Sequence, residues 1–415
     1  MPVRPFLLGA RRTLAAGWTL AAGWTLAAGW ALAPAVAHAE DTITFGAAIQ
    51  LTGSEANTGR YYRDAYQFTV DKINATGGVT VGGKTYKLAL DILDSQSDLN
   101  LGVRQYVQLI SRDKVNFLLG PYASNAILDD SSVAEKYQVP MVQGGGASGQ
   151  IFARGYEYVF GLLPPADDYF GSTIEMAGHL SPKPQSFALI GADDAFDLSV
   201  AKGTRALLEK AGAKLVVDQK FSQSNPDFSS ILTLVKSAQP DAVLWTGYEN
   251  AALNFVRQMK SLAVNPQFLA LTTGVQTADF RHALGADAEY VFGMTSWLPD
   301  ASLKDKWFGD AAQFAQAFEA RYHYVPDYHV AAGVAAVETY AVAIEAAGTL
   351  DPHAVRDALA KASFDSLYAH VAFDEHGQIH IPQIVIQVQK NEPVPVYTTR
   401  FLHQPEYPMP PWNKR

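Results

Sequence analysis

A chain of 415 residues with 48% hydrophobic content carries enough apolar material for two packed domains and is not a disordered segment. Its 41 acidic residues against 32 basic ones give a formal net charge of −9, which argues against nucleic acid or an anionic membrane surface as partner. Cysteine is absent, so disulfides, thiol chemistry and a lipidated N-terminal cysteine are excluded together.

Residues 1–39 read as a secretory signal. Arg4, Arg11 and Arg12 make a basic start, an apolar stretch follows, and Ala37-His38-Ala39 fits a small-x-small cleavage site that leaves Glu40 first. The apolar stretch repeats TLAAGW from Thr13, Thr19 and Thr25 and so exceeds the usual ~7–15 residues. It approaches bilayer-spanning length, which makes a retained N-terminal anchor the competing reading. Cleavage removes three arginines and no acid, so the exported part is more acidic still. An exported chain without a lipid anchor stays in place behind an outer barrier, so a periplasmic location is expected. No later run is expected to cross a membrane.

From Thr42 strands and helices alternate. TITFGAAIQ is a strand, Gly53 and Gly59 turn the chain, and Tyr62, Tyr66, Val70 and Ile73 share one helical face. A strand at Tyr86 to Leu93 and a helix around Val103, Tyr106, Val107 and Ile110 follow. The stretch Leu118 to Gly149 then reads as a strand ending at Gly120, a turn, a helix opening near Ser124, and a short strand, Val139 to Val142, that runs into Gly144, Gly145 and Gly146. Two strand ends side by side, one leading into a helix through a hydroxyl residue and one ending in glycine backbone, present outward amides that suit an anion.

The rhythm pauses at Leu162-Leu163-Pro164-Pro165 and restarts: strands near Ser186, Lys214, Asp241, Gln267 and Tyr290 alternate with helices from Phe196, Phe228 and Glu249. Three helices without strands follow, Ala311 to Tyr322, His329 to Ala347 and Pro352 to Ala362, and then strands from Val371 to Phe401 with a turn at Glu375-His376-Gly377. The expected fold class is α/β, two Rossmann-like doubly wound lobes joined by a three-segment hinge. The expected division is residues 40–163 with 297–368 in one lobe, 164–296 with 369–403 in the other, and a tail over 404–415. Three crossings suit closure around a small ligand.

Gly144, Gly146 and Gly149 match G-x-G-x-x-G with Asp167 and Asp168 about twenty residues on, formally the dinucleotide fingerprint. Only about seven residues separate Gly149 from the next apolar run at Tyr156, too few for a crossover helix, so the glycines are read as a close backbone approach and no cofactor is expected. Of the ten histidines, His376 and His380 are separated by a Gly-Gln turn and His323 and His329 flank Pro326, so no metal site is expected. There is no G-x-S-x-G elbow and no serine triad spacing, so no catalytic residues are assigned. Tyr122, Phe196 and Tyr248 each follow a strand end, where open α/β sheets bind ligands.

LTGSEANTG, DKINATGG, DSQSD, LLGPYAS, VPMVQGGGASG and TGYENAALNFVRQMK occur in order, and with them the chain from Thr42 to about Phe401 resembles the periplasmic substrate-binding proteins of ABC importers, of the branched-chain amino-acid and amide type. The resemblance implies a carboxylate held by Ser124 with Ala123 and by Gly145, Gly146 and Ala147, with Ser148 a close alternative. It implies Phe196 and Tyr248 closing over the ligand. The family's first-loop tyrosine falls on Thr58, and the acid that pairs with a ligand ammonium falls on Thr273.

A helix N-terminus stabilises a carboxylate by about 0.3–2 kcal/mol and burial of an apolar group contributes about 1.5–3 kcal/mol, whereas an unpaired enclosed ammonium costs several. Unless Glu249, Asp167 or Asp168 reaches the site, the expected ligand is therefore an aromatic or aliphatic carboxylate or an amide. The expected molecule is a monomeric, non-enzymatic binding protein that delivers its ligand to a membrane permease. A sensor domain of the same fold and an NAD-dependent enzyme are the alternatives.

Overall fold

Why the strands sort into two sheets follows from their patterning. In the computed structural model, which describes residues 41–224 and 227–415, strands of near-continuous apolar sequence are covered on both faces by amphipathic helices. The expected secretory signal lies outside the described residues.

The first sheet is built from β1 (Thr42–Ile49), α1 (Ala56–Ala75), β2 (Val79–Val81), β3 (Lys84–Asp94), α2 (Leu99–Ser111), β4 (Phe117–Leu119), α3 (Ser124–Tyr137), β5 (Met141–Gln143), α4 (Gly149–Phe152) and β6 (Val159–Gly161). Its strand order is β2-β3-β1-β4-β5-β6, parallel except for the β2–β3 pair. The second sheet uses α5 (Gly171–Ala177), β7 (Ser186–Ala192), α6 (Ala195–Lys210), β8 (Lys214–Phe221), α7 (Ser229–Ala238), β9 (Ala242–Thr246), α8 (Glu249–Ser261), β10 (Phe268–Leu271), α9 (Ala278–Leu284) and β11 (Phe292–Thr295). The chain continues through β12 (Lys304–Asp305), β13 (Gly309–Asp310), α10 (Ala311–Tyr322), α11 (Tyr328–Ala347), α12 (Pro352–Ala360), β14 (Ser363–Asp365), β15 (His370–Ala372), β16 (Ile384–Gln389) and β17 (Glu392–Tyr397). β16 and β17 join the second sheet, whose order is β17-β16-β11-β10-β9-β7-β8. In each sheet the order reverses beside the first strand, β1 or β7, and the C-terminal strand ends at that reversal are where such sheets hold ligands.

Of the helices without strands, α11 lies on the first sheet, α10 packs against α1 and α12 against α11. α11 packs on α1, β2 and β5, and α10 reaches α1 through Phe314 and Phe318, whose rings lie 6.0 and 5.4 Å from that of Phe68. Close approach of α11 and α1 depends on Gly333, where a Cβ would lie 2.8 Å from that of Ala65. By length and composition α11 could cross a membrane, which corrects the expectation that no later run could; 78% of its apolar window is buried within the protein.

The tail differs from expectation in detail. The turn at residues 375–377 does not join two strands of the second sheet. Gln378, just after it, bridges Gly161 at the edge of the first sheet. The hairpin forms instead between β16 and β17, where Lys390 and Asn391 adopt φ of 56° and 63° in the two-residue turn. The chain therefore passes between sheets after β6, after β11, and between Gln378 and Ile384. The dinucleotide reading fails on length: α4, after the glycines, has four residues.

One buried charge is unexpected. Glu338, in the middle of α11, has no exposed surface. Its Oε2 accepts from the Leu367 amide at 3.4 Å, and Oε1 has no partner among the described residues except the neighbouring Asp305 carboxyl. Burial, reinforced by Asp305, holds its carboxyl well above the ordinary 4.5. The protonated form is favoured in the fold, so Glu338 supports stability fully below pH 4.5 and that support is lost as pH rises. Glu338→Gln should raise the thermal midpoint in mildly alkaline buffer and change it little near pH 4.5; equal shifts at both would show that the carboxyl is not strained.

Candidate functional site

The C-terminal ends of β4 and β5 in the first sheet meet those of β7, β9 and β10 in the second. Tyr122, Ala123 and Ser124 follow β4, Gly145 and Ala147 follow β5, Phe196 opens α6 after β7, Tyr248 precedes α8 after β9, and Thr273 follows β10; all line one pocket. Leu163, Tyr169 and Tyr328 complete the wall.

The backbone of this corner is tightly constrained. Gly145 approaches the turn after β4 so closely that a Cβ would fall 2.1 Å from the Pro121 carbonyl oxygen. The Gly145 and Gly146 amides donate to Gln143 Oε1 at 2.9 and 2.7 Å, and the Ala147 and Ser148 amides donate to Ser124 Oγ at 3.0 and 3.2 Å. In this structure the four amides expected to hold an anion converge, through the sharp turn after β5, on two side-chain oxygens of their own lobe. Both lone pairs of Ser124 Oγ are thereby occupied, and its remaining capacity is one O–H to donate. α3 begins at the same place with Ala123 as a cap that makes no side-chain hydrogen bond, so the helix start adds amides and a positive dipole end.

Gly146 and Ser148 lie outside the pocket lining. Ser148 ties the two lobes instead: its Oγ donates to Ala195 O at 2.7 Å and lies 2.8 Å from Ser199 Oγ. Asn125 Oδ1 accepts from the Ala195 amide at 3.0 Å alongside. Thr58 is buried in the first turn of α1 and does not line the pocket either.

Aromatic side chains make most of the remaining wall. Tyr122 meets Tyr248 edge-on at 5.6 Å, Phe196 stacks with Tyr248 at 6.1 Å, and Tyr169 meets Phe196 edge-on at 5.1 Å. Burial pushes the phenols of Tyr122, Tyr169, Tyr248 and Tyr328 upward, so they stay neutral and can donate hydrogen bonds. No carboxylate lines the pocket among the described residues. Thr273, buried, donates to Gly247 O at 2.6 Å. Asp167 pairs with Lys202 at 3.2 Å and Asp168 is exposed. Asp194 caps α6 and accepts from Tyr248 OH at 3.4 Å, behind the aromatic wall.

The enclosed volume is about 10 Å3, room for about one water-sized body. Anything larger needs the walls to part. A more open cavity of about 360 Å3 adjoins it through Tyr122, Ala123 and Tyr248, with polar side chains from both lobes including Gln50, Asn125, Gln223 and Asn250.

Strand ends flagged Tyr122, Phe196 and Tyr248 in the sequence; Tyr169 and Tyr328 carried no such signal. Tyr169 follows a single 3₁₀ turn at Ala166–Asp168, and Tyr328 is the first residue of α11. Only assembly of the two lobes brings them to the pocket.

Glu249 also stands off the pocket, at the start of α8, with Oε2 accepting from Thr277 at 2.7 Å. It faces Asp279 on α9, Asp327 and His329 at the start of α11, and Tyr61 on α1, which itself donates to Asp279 at 3.3 Å beside Arg60. Burial, with Asp279 and Asp327 adding, raises its carboxyl to about 7.

Residues 42–393 match the family described as Periplasmic binding protein. The Leu/Ile/Val-binding protein homolog 7 of Brucella abortus (strain 2308) is 28% identical over 304 residues, covering 70% of this chain and 73% of that protein. The branched-chain amino acid transporter substrate binding protein of Streptococcus pneumoniae, solved with isoleucine, superposes with a TM-score of 0.75 at 22% identity, covering 86% of this chain and 100% of that one. A solute binding protein of an R. palustris ABC transporter, solved with benzoate, gives 0.74 at 17% identity, covering 88% and 98%.

If the lobes part at the hinge expected from the sequence, Glu249 leaves Asp327, His329 and Tyr61 for solvent, and its carboxyl falls back toward the ordinary 4.5. A raised carboxyl favours closure fully below pH 4.5, and that contribution is lost as pH rises through about 7. Distances between spin labels on the two lobes should lengthen across this window, and Glu249→Gln should flatten the dependence. A wild-type profile that persisted in the variant would move the titration elsewhere.

Proposed function

The chain belongs to the periplasmic binding protein family, and on that premise we propose that it captures a small aromatic or aliphatic carboxylate between its two lobes and delivers it to the permease of an ABC importer. The observation that carries this reading is the committed hydroxyl of Ser124. With both lone pairs taken by the Ala147 and Ser148 amides, it can meet a ligand only as a donor, beside an uncapped helix start. Such a corner suits a carboxylate.

The rest of the pocket speaks for the body of the ligand. Five aromatic rings, of Tyr122, Tyr169, Phe196, Tyr248 and Tyr328, and no carboxylate surround it. An aromatic acid gains ring contacts and phenol hydrogen bonds there, whereas an ammonium would be enclosed without a partner at a cost of several kcal/mol. The benzoate complex of a protein with this fold supports that choice, and the isoleucine complex of another is the competing one. Behind this wall stand Asp194, which accepts from the Tyr248 hydroxyl at 3.4 Å, and Glu249, whose charge acts on Tyr328.

The protein works in the periplasm as a monomer without catalysis. One lobe comprises residues 41–163 and 297 to about 378, and the other residues 164–296 and about 384–415, since the segment 404–415, expected to be a separate tail, packs Met409 and Trp412 into that lobe's core. Closure brings Phe196 and Tyr248 over a ligand already seated on Ser124.

Calorimetric titration of the mature protein with benzoate and with leucine tests the reading. Benzoate should bind and leucine should not, and Ser124→Ala should weaken benzoate by about tenfold to a hundredfold and lower the thermal midpoint without unfolding the protein, because the Ala147 and Ser148 amides lose their acceptor. Tight leucine binding that disappears in Glu249→Gln would overturn the choice of ligand, and unchanged benzoate affinity in Ser124→Ala would move the carboxylate to another place.

A further inference from the structure

The pocket between the strand ends opens outward, past Tyr122, Ala123 and Tyr248, into the cavity of about 360 Å3. The two spaces differ in chemistry as well as in size. At the inner end the donating hydroxyl of Ser124 and the start of α3 favour negative charge. At the outer end no lysine, arginine or histidine lines the wall among the described residues, and Glu55, just before α1, is the carboxyl that does.

Neighbouring charge runs the same way. Asp194 acts on Glu55 from behind the aromatic wall, and both acids act on Asp197 and on Tyr248. Burial, with Asp194 adding, raises the Glu55 carboxyl above its ordinary 4.5, as expected of a negative charge that has no counter-ion.

The hydrogen-bonding groups left over in the outer cavity are mostly acceptors. Both ends of the Gln50 carboxamide are taken by the Tyr122 main chain. Gln223 spends Nε2 on Asp194 Oδ2 at 2.6 Å, and Asn250 spends Nδ2 on Ser54 O at 2.9 Å, a bond that crosses between the lobes. That leaves Oε1 of Gln223, Oδ1 of Asn250 and the Glu55 carboxyl to accept. Asn254, on α8, lines the same cavity with both ends of its amide unpaired among the described residues and open to solvent. A space rich in acceptors and short of positive charge suits a cationic donor.

We propose that the aromatic acid captured by this protein carries an ammonium at the end away from its carboxylate, and that the outer cavity holds this ammonium against Glu55 and Asn254. The proposal rests on the inner pocket being a carboxylate site. It separates two kinds of zwitterion: an α-ammonium would lie beside the carboxylate, among rings and without a partner, whereas a distal one reaches Glu55. Because Glu55 and Asn254 belong to opposite lobes, a group held by both also favours the closed form.

Three probes compared by calorimetry on the mature protein test this: benzoate, 4-(aminomethyl)benzoate, and 4-(hydroxymethyl)benzoate, which has nearly the shape of the second without its charge. 4-(Aminomethyl)benzoate should bind about tenfold more tightly than either of the others, and Glu55→Gln should bring it level with the hydroxymethyl probe. Asn254→Lys sets a rival ammonium in the cavity from a half-buried helix position. It should have the same effect, and it keeps the test decisive if Glu55→Gln fails to fold. Benzoate that binds, with the aminomethyl probe no tighter than the hydroxymethyl one, would overturn the distal ammonium and leave the carboxylate site standing. A preference for the ammonium that survives both variants would overturn it as well. If none of the three binds, the carboxylate site falls and the distal ammonium with it.

Discussion

Two hydrogen bonds accepted by one serine oxygen fix the corner on which the site is built. Ser124 Oγ draws in the amides of Ala147 and Ser148, and Gly145 passes within touching distance of the Pro121 carbonyl. Together they lock the ends of β4 and β5 into one rigid piece before the second lobe arrives. The cost of ordering these groups is met by folding and not by binding, which is what preorganisation means for affinity. The same bonds decide the polarity of the corner, because a serine that has spent its lone pairs can only donate.

Against that rigid corner the second lobe brings rings, and contacts between lobes are mostly small. Arg60 and Asp279 pair at 3.4 Å with side chains 41% and 47% exposed, a geometry that contributes about 0–1 kcal/mol. The bonds of Ser148 and Asn125 to Ala195 are buried or partly so, and matter more. Closure held by a few such contacts remains easily tipped, and a ligand that touches both lobes needs only a modest difference in affinity between open and closed forms to decide it.

The architecture was legible in the sequence because parallel sheets demand a regular alternation of apolar runs and amphipathic helices, and nearly every long element declared itself by period. Tyr122, Phe196 and Tyr248 were legible for a related reason: they follow strand ends, where backbone geometry alone nominates a site. What was not legible depends on distant partners. Nothing local marks Tyr169 or Tyr328 as pocket residues, and the use of four amides after β5 by Gln143 and Ser124 requires knowing that a side chain twenty-odd positions earlier folds back on them. The three-residue strand β2 and the β14–β15 pair are too short for period to register. The true hairpin turn at Lys390-Asn391 lacks the glycine that usually announces one.

The placement of β16 has a consequence for how the chain comes to be folded. The edge of β11 stays bare until residues 384–389 arrive to pair with it, and the first sheet waits for α11, at residues 328–347, to cover it. Neither half can finish from the residues that begin it. An emerging chain therefore holds two incomplete layers for most of its synthesis, with open strand edges as its weakest point. It acquires both lobes almost together at the end.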